Sequence, residues 1–469
     1  MKTLLKIVPP AVVLLAMALA GPAAARAVPD SREQITLSFA PVVKKVAPAV
    51  VNIYTRKVIE QRNSPLFSDP FFSRFFGRNF FGGIPERRVQ NALGSGVIVG
   101  SDGVIVTNFH VVKGADQITV VLSDRREFEA KLVGTDERAD IAVLRINVPD
   151  EKLPALEFGD SDAAEVGDLV LAIGDPFGVG QTVTSGIISA LARTGLGIND
   201  FNFFIQADAA INPGNSGGAL VTMDGKLIGV NTAIYSGSGG SIGIGFAIPS
   251  NMVRTVVRGI LAGGKLVRPW FGAQGEAVSP EIAASIGLKR PMGVLVNNVY
   301  QGGPAAGAGL KTGDVILKID GREVDDPESL RYRIATKPLN GKADLTVYRQ
   351  GHEYDLSIGL TPPPETVPRD TTVLKGPSPL AGATVMNLSP AVADEYRLNP
   401  FQKGVVVTAV ADGTAAANLG VKEGDVILRV NGADTRDVDE VKEAVARRAD
   451  AWQLSLRRGE RVLNVVVRN

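Results

Sequence analysis

The C-terminal part of this chain carries one pattern twice. Gly293-Val294-Leu295-Val296 returns as Gly404-Val405-Val406-Val407, an offset of 111 residues. Gly309-Leu310-Lys311-Thr312-Gly313-Asp314-Val315-Ile316 returns as Gly420-Val421-Lys422-Glu423-Gly424-Asp425-Val426-Ile427 in the same register, as do Ala305 as Ala416 and Gly321 as Gly432. A register kept over that distance commits this half to two copies of one module. Each copy reads as strand, short Ala-rich helix, Gly-Asp turn, strand, longer helix (327–335 and 438–448) and further strands. That is a small α+β unit, and two copies are too few for a solenoid. A Pro-rich stretch from Thr361-Pro362-Pro363-Pro364 to Pro379 reads as a linker between them.

The part before the repeat has another texture. Gly94-Ser95-Gly96-Val97-Ile98-Val99 and Val104-Ile105-Val106-Thr107 flank Ser101-Asp102-Gly103, a hairpin with an Asp-Gly turn. Ile118, Val120 and Leu122 alternate with polar residues, and 127–133 alternates again. Asp140-Ile141-Ala142-Val143-Leu144-Arg145-Ile146, 169–173 and 182–188 add more strands. Short strands at about ten-residue spacing with turns between predict a sandwich or barrel. The 52 glycines fit many turns. Ahead of these, Phe39, Val42, Val43, Val46 and Val50 recur at helical spacing, so 36–50 predicts a short amphipathic helix. Residues 64–85 interleave seven phenylalanines with Pro, Gly, Asp and Arg. No period fits, and such a loop needs a surface to pack on, in its own domain or on another subunit.

Met1-Lys2-Thr3-Leu4-Leu5-Lys6 is a basic start, and 7–25 is uncharged. Ala23-Ala24-Ala25 and Ala25-Arg26-Ala27 supply small-x-small cleavage patterns. Residues 1–27 read as a cleaved secretory signal, with an uncleaved anchor as the alternative. The mature chain then works outside the cytoplasm, without ATP at hand. A net charge of +1 gives no reason to expect nucleic acid, and membrane association is not required. With no cysteine and only two histidines, His110 and His352, there is no Cys nucleophile, no disulfide and no basis for a metal site. No cofactor is expected. His352 reads as a solvated hairpin residue.

One serine stands out, in Asn212-Pro213-Gly214-Asn215-Ser216-Gly217-Gly218-Ala219-Leu220. Glycines around a serine let the backbone turn sharply and let a substrate approach the main chain. Consecutive N–H groups in such a turn can converge on an oxyanion. A serine hydroxyl is a weak nucleophile until a base takes its proton. Imidazole suits that task, and a carboxylate fixes its tautomer. The β-rich part supplies one of each in the order His110, Asp140, Ser216. His110 closes a strand end in Thr107-Asn108-Phe109-His110-Val111-Val112, and Asp140 begins the strand Asp140-Ile141-Ala142-Val143. Alone, each has a bland reading: a core histidine, a turn aspartate, a Gly-rich loop.

Taken together, these three stretches resemble the signatures of the HtrA (Do-like) serine proteases. Gly174-Asp175-Pro176-Phe177-Gly178 through Ser189 and the segment 239–251 match as well, so the resemblance covers nearly the whole mature chain. It implies a mainly β fold: a chymotrypsin-like double β-barrel protease domain, with His110, Asp140 and Ser216 in the cleft, followed by two small α+β PDZ domains. It implies an oxyanion hole from the N–H groups of Gly214, Asn215 and Ser216, and an S1 pocket walled by Ile211, Tyr235 and Ile244, suited to small or medium apolar side chains. Tyr235 is larger than the aliphatic residue expected there. Arg193, in the loop before the nucleophile strand, resembles the family's activation-sensor arginine. Phe109 beside the histidine, Asp175 in place of Asn and Ala207 in place of Thr depart from the usual pattern without removing a catalytic group.

The repeat units resemble the PDZ domains of the same family. Such a domain adds a peptide's C-terminal tail as a strand and holds its carboxylate on loop N–H groups. In the first unit that loop is Trp270-Phe271-Gly272-Ala273, with Leu330 and Ile334 on the groove helix. In the second, Leu380-Ala381-Gly382-Ala383 is the counterpart, either for peptide or for architecture alone. The expected plan is signal peptide 1–27, protease domain 28–265 with a Phe-rich loop over 58–90, PDZ domain 266–362, linker 363–379 and PDZ domain 380–469. The resemblance further implies a periplasmic, ATP-independent endopeptidase acting on unfolded or C-terminally tagged proteins. It implies homotrimers, with larger cages as a further level. A chaperone or holdase with secondary proteolysis is the alternative.

Overall fold

The computed structural model describes residues 38–58, 89–175, 180–196, 199–212, 214–234, 241–263, 266–447 and 449–468. The signal segment, most of the Phe-rich stretch and Tyr235 lie outside the described residues. Among the described residues no helix is long and apolar enough to cross a membrane.

The chain enters through helix α1 (Ala40–Val46), with Pro41 in its first turn, and a 3-10 turn (Ala47–Ala49). The expected helix over 36–50 is thus cut short. Pro48 brings no N–H to continue an α-helix, and Val50 already opens a strand. Strands β1 (Val50–Val58), β2 (Val89–Gly100) and β3 (Val104–Thr107), helix α2 (Phe109–Val112), and strands β4 (Gln117–Val121), β5 (Glu127–Glu129), β6 (Lys131–Asp136) and β7 (Ile141–Arg145) follow. The expected strand over 127–133 is two strands broken at Ala130. The sheet order is β5-β4-β1-β2-β3-β7-β6. Its two edges are consecutive in the chain, separated by Ala130 alone. That connection rolls the sheet until its edges meet, around a core that includes Ile53, Val97, Ile98, Ile105, Val120 and Leu144.

A second, closed barrel runs β10-β13-β12-β11-β8-β9. Its strands are β8 (Leu169–Gly174), β9 (Thr182–Arg193), β10 (Phe204–Ala207), β11 (Ala219–Thr222), β12 (Leu227–Ile234) and β13 (Gly245–Pro249). Helix α3 (Ser250–Leu261) leaves the barrel and buries Met252, Val253, Val256 and Val257, an i, i+1, i+4, i+5 face that suits one-sided packing.

The repeat folds as two similar sheets. The first unit holds β14 (Ala273–Ala277), α4 (Pro280–Ile286), β15 (Val294–Val299), α5 (Pro304–Gly307), β16 (Val315–Ile319), β17 (Arg322–Glu323), α6 (Pro327–Ala335), β18 (Lys342–Arg349) and β19 (His352–Gly359). The second holds β20 (Thr372–Val373), β21 (Ala383–Asn387), α7 (Pro390–Glu395), β22 (Val405–Val410), α8 (Ala415–Leu419), β23 (Val426–Val430), β24 (Ala433–Asp434), α9 (Val438–Ala446), β25 (Ala451–Arg458) and β26 (Arg461–Arg468). The sheets run β14-β15-β16-β18-β19 and β20-β21-β22-β23-β25-β26. The repeated Gly-Asp turn now has a physical reason. Buried Asp314 accepts the Lys311 N–H at 2.7 Å and both fork nitrogens of Arg349 at 2.6 and 2.7 Å. Asp425 accepts the Lys422 N–H at 2.9 Å and the Arg458 fork at 2.7 Å twice. A buried carboxylate needs such a set of donors. The stretch read as a plain linker is not one: it contains β20, which joins the second sheet.

Helix α6 faces two ways. Leu330 and Ile334 enter the core of their own unit. Tyr332 turns outward and stacks on Phe203 of the protease domain, ring centroids 3.8 Å apart and 9° from parallel. Thr194 donates to Asp326, the cap of α6, at 2.5 Å. The second unit also reaches the protease domain, through Arg138 and Asp394 at 2.7 Å. An ion pair unforeseen in the sequence, Arg268 with Asp136, is buried at the base of the first unit, with Arg268 lying over Phe201. Burial pushes the Arg268 guanidinium below its usual range, and Asp136 opposes that shift.

Candidate active site

Turns between strands bring the three expected residues together. α2 carries His110, one turn after β3 ends. Asp140 sits one residue ahead of β7 with φ +55°, a left-handed conformation that aspartate tolerates at a cost of about 1–3 kcal/mol. That conformation turns its carboxylate onto the histidine. Asp140 Oδ2 lies 2.7 Å from His110 Nδ1, and Oδ1 accepts the His110 backbone N–H at 3.0 Å. A carboxylate at that distance holds the proton on Nδ1 and leaves Nε2 as the basic nitrogen.

Thr232, which sequence reading missed, completes the set. Its hydroxyl donates to Asp140 Oδ2 at 2.9 Å, and its carbonyl accepts from Ser216 Oγ at 3.3 Å. One residue of β12 therefore touches both the carboxylate and the nucleophile candidate. No sequence signal marked it; only its burial in the folded chain sets it apart. Asn231-Thr232 is a fully buried polar pair in an otherwise apolar strand, and buried polar groups need a reason.

The loop carrying Ser216 is held mainly by its backbone. Gly214 has φ +98° and Gly217 φ +84°, and a Cβ on Gly217 would lie 2.1 Å from the Ser95 carbonyl oxygen. Glycine is required there by both conformation and space. Ser95, fully buried on β2, clamps the loop at two points. Its Oγ donates to the Gly214 carbonyl at 2.6 Å and accepts the Asp175 N–H at 2.8 Å. Its own N–H donates to the Ser216 carbonyl at 2.8 Å. The Asn215 N–H donates back to the Asn212 carbonyl at 3.0 Å. This corrects the expected three-donor oxyanion hole, because a bonded N–H is not free for a substrate. Among the described residues no carbonyl takes the N–H groups of Gly214 and Ser216, and these two remain.

Of the S1 candidates, Ile211 is buried, and its Cδ1 lies 2.7 Å from where a Cβ on Gly245 would be, so Gly245 makes its seat. Ile244 is half-buried against the cluster that contains Phe246 and Ile248. Tyr235 lies outside the described residues. Arg193 is not in a loop but ends β9, where its Nε donates to Gln206 Oε1 at 2.9 Å. Its barrel neighbour and the Thr194 contact to α6 place it where β9 meets the first repeat unit.

In that unit, the Trp270 N–H is spent on Thr361 at 2.8 Å. The Phe271 and Gly272 N–H groups meet no carbonyl among the described residues. Gly272 has φ +75° and packs under the Trp270 ring. Phe271 and Ala273 lie against the same cluster as Leu330 and Ile334. β14 has only β15 beside it among the described residues, which leaves an open edge next to α6. His352 opens β19 and is exposed.

Residues 94–230 match the family described as a trypsin-like peptidase domain, and 240–360 and 406–463 each match a PDZ domain family. The chain is 41% identical over 415 residues to a probable periplasmic serine endoprotease, DegP-like, of Marinomonas sp. (strain MWYL1), covering 86% of this chain and 87% of the relative. It is 38% identical over 452 residues to the periplasmic serine endoprotease DegP of Escherichia coli (strain K12), covering 92% of each. Among solved structures, the HtrA-type protease AlgW with a decapeptide is 47% identical with a TM-score of 0.51, spanning 70% of this chain and 99% of that one.

Proposed function

The chain belongs to the HtrA family of serine endoproteases, the family of DegP, and from that premise we propose how its own residues do the work. Ser216 Oγ attacks the scissile carbonyl carbon while its proton passes to His110 Nε2. Asp140, held by the His110 N–H and Thr232, fixes the imidazole and stabilises the imidazolium that forms. The Gly214 and Ser216 N–H groups receive the developing oxyanion. His110 returns the proton to the leaving amine, and water then releases the acyl-enzyme by the same route. Ile211 and Ile244 favour apolar P1 side chains of modest size.

Substrates are unfolded or C-terminally tagged proteins of the periplasm, reached after cleavage of the segment 1–27, and no ATP is used. The first PDZ unit captures free C-termini on the open edge of β14, with Phe271 and Gly272 as carboxylate donors. Arg193, beside the Thr194 contact to α6, carries the state of that unit toward the nucleophile loop. The working unit is a homotrimer.

The observation that supports this reading best is the bonded run His110, Asp140, Thr232, Ser216. Incubation with unfolded casein tests it. Wild type should degrade casein, and Ser216→Ala should bind without cutting. A wild type that leaves casein intact at every temperature while suppressing its aggregation would make the protein a holdase instead. For capture, substitution of Gly272 should weaken binding of peptides with free C-termini more than of amidated ones; equal loss for both contradicts carboxylate recognition.

A further inference from the structure

The edge on which the second PDZ unit would take a peptide is already filled by this chain. Thr372 and Val373 pair antiparallel with β21, opposite Val385 and Thr384. Leu374 continues the strand. Its N–H donates to the Ala383 carbonyl at 2.8 Å, and its carbonyl accepts the Gly382 N–H at 2.9 Å. Its side chain is buried in one cluster with Leu380, Ala383, Val441 and Val445. Val441 and Val445 are the 111-residue counterparts of Leu330 and Ile334 on the first unit's groove helix. A strand added antiparallel, an apolar side chain under the helix and an oxygen on the glycine N–H are what the last residue of a captured tail provides. In the first unit no described strand pairs with that edge, and the second unit meets β14 at the Gln274 side chain, which donates to Asn399 at 2.8 Å.

We infer that the second PDZ unit is a peptide site for tails ending in an aliphatic residue, held shut by Thr372-Val373-Leu374 as a resident ligand. The inference rests on the reading that these units take C-terminal tails. The loop keeps its glycine, at φ +92°, with Thr414 packed too close for any Cβ. Leu374 presents one carbonyl where a true C-terminus presents a carboxylate, and charge-assisted bonds to N–H groups are about twice as strong as neutral ones. The Ser378 hydroxyl, buried in the turn that leads into the loop, has no hydrogen-bond partner among the described residues. Against this stands the tether. Leu374 is joined to the loop by five residues, and a short tether acts as an effective concentration of about millimolar or more. Free peptide therefore enters only at comparable concentration, or when the resident segment is pulled away.

The test uses the full chain with Ser216→Ala, so that nothing is cut, and a labelled peptide ending in Thr-Val-Leu with a free carboxylate, alongside its amide. Calorimetry counts sites per chain. The parent should show one site at micromolar peptide, and Leu374→Ser should show two, the added one at least about tenfold weaker for the amide. A folded Leu374→Ser protein that still shows one site overturns the inference. Should that variant fail to fold, Val373→Cys with Thr384→Cys decides, because the chain has no other cysteine. The reduced form should take a second peptide at millimolar concentration and the oxidised form should not; equal uptake by both overturns the inference. A parent with no site at all removes peptide capture by the first unit, and the gain on Leu374→Ser is then read separately.

Discussion

The rolled sheet and the closed barrel both supply the catalytic site, but they hold their contributions differently. On the rolled sheet, Asp140 carries three bonds on its two oxygens, two of them to His110 and one to Thr232. On the barrel, Ser216 Oγ has one long bond to a carbonyl, and the Asn215 carboxamide, 1% exposed, has no partner on either end among the described residues. The base side is pinned on both carboxylate oxygens, by His110 on the same sheet and by Thr232 reaching over from the barrel. The nucleophile loop is held through its backbone, by Ser95 reaching across from β2 and by Asn231 of β12, whose carbonyl accepts the Gly217 N–H at 2.8 Å. That difference places the adjustable part of the site on the loop: bonds to its backbone from neighbouring strands, two of them at one serine, are easier to shift than a buried, fully bonded carboxylate.

Substitutions on each side sharpen or break this contrast. Asp140→Asn should cost most, about 10⁴-fold in kcat, because the neutral amide no longer fixes the tautomer or stabilises the imidazolium. A loss of only tenfold would mean that the base side is not the rigid one. Ser95→Ala should lower kcat by about 10- to 100-fold with KM little changed, a fraction of what removing an oxyanion donor costs. Binding of a peptide boronate, which mimics the tetrahedral species, should weaken by a similar factor. If KM rises instead while boronate binding holds, Ser95 shapes the substrate cleft and not the loop. Thr232→Val keeps the volume and removes one bond to a buried charge, worth about 1.5–3 kcal/mol, so kcat should fall at least about tenfold. The smallest effect is expected in stability at Asn215. Asn215→Ala removes polar atoms that bond to nothing among the described residues, so chemical denaturation should move by no more than about 1 kcal/mol. Asp140→Ala strands its donors and should cost several times as much. Equal losses at the two positions would erase the contrast.

Much of this was legible in the sequence. The repeat offset, the Asp-Gly hairpin and the run of short strands predict the architecture, and His110, Asp140 and Ser216 declare themselves by residue type and setting. What stayed hidden depends on long-range placement. Thr232 is an ordinary strand residue until β12 folds beneath Ser216. Ser95 reads as part of a glycine-rich strand, although Gly94 is needed because a Cβ there would lie 2.6 Å from Val111. The Asn215 N–H could not be told from its neighbours, because only loop geometry sends it back to Asn212. Tyr332 has the helical phase of a solvated face and is buried only because Phe203 comes to meet it. Thr372-Val373-Leu374 sits in a Pro-rich stretch whose composition says linker, while three residues suffice to complete a sheet.

The most direct test of the account is where an acylating probe lands. Reaction with a fluorophosphonate, followed by mass spectrometry of the digested protein, should give one adduct per chain, on Ser216. The adduct should form far more slowly in Asp140→Asn and be absent from Ser216→Ala, which should also fail to cut casein. An adduct on another residue, or a Ser216→Ala protein that cuts casein at the wild-type rate, would contradict it.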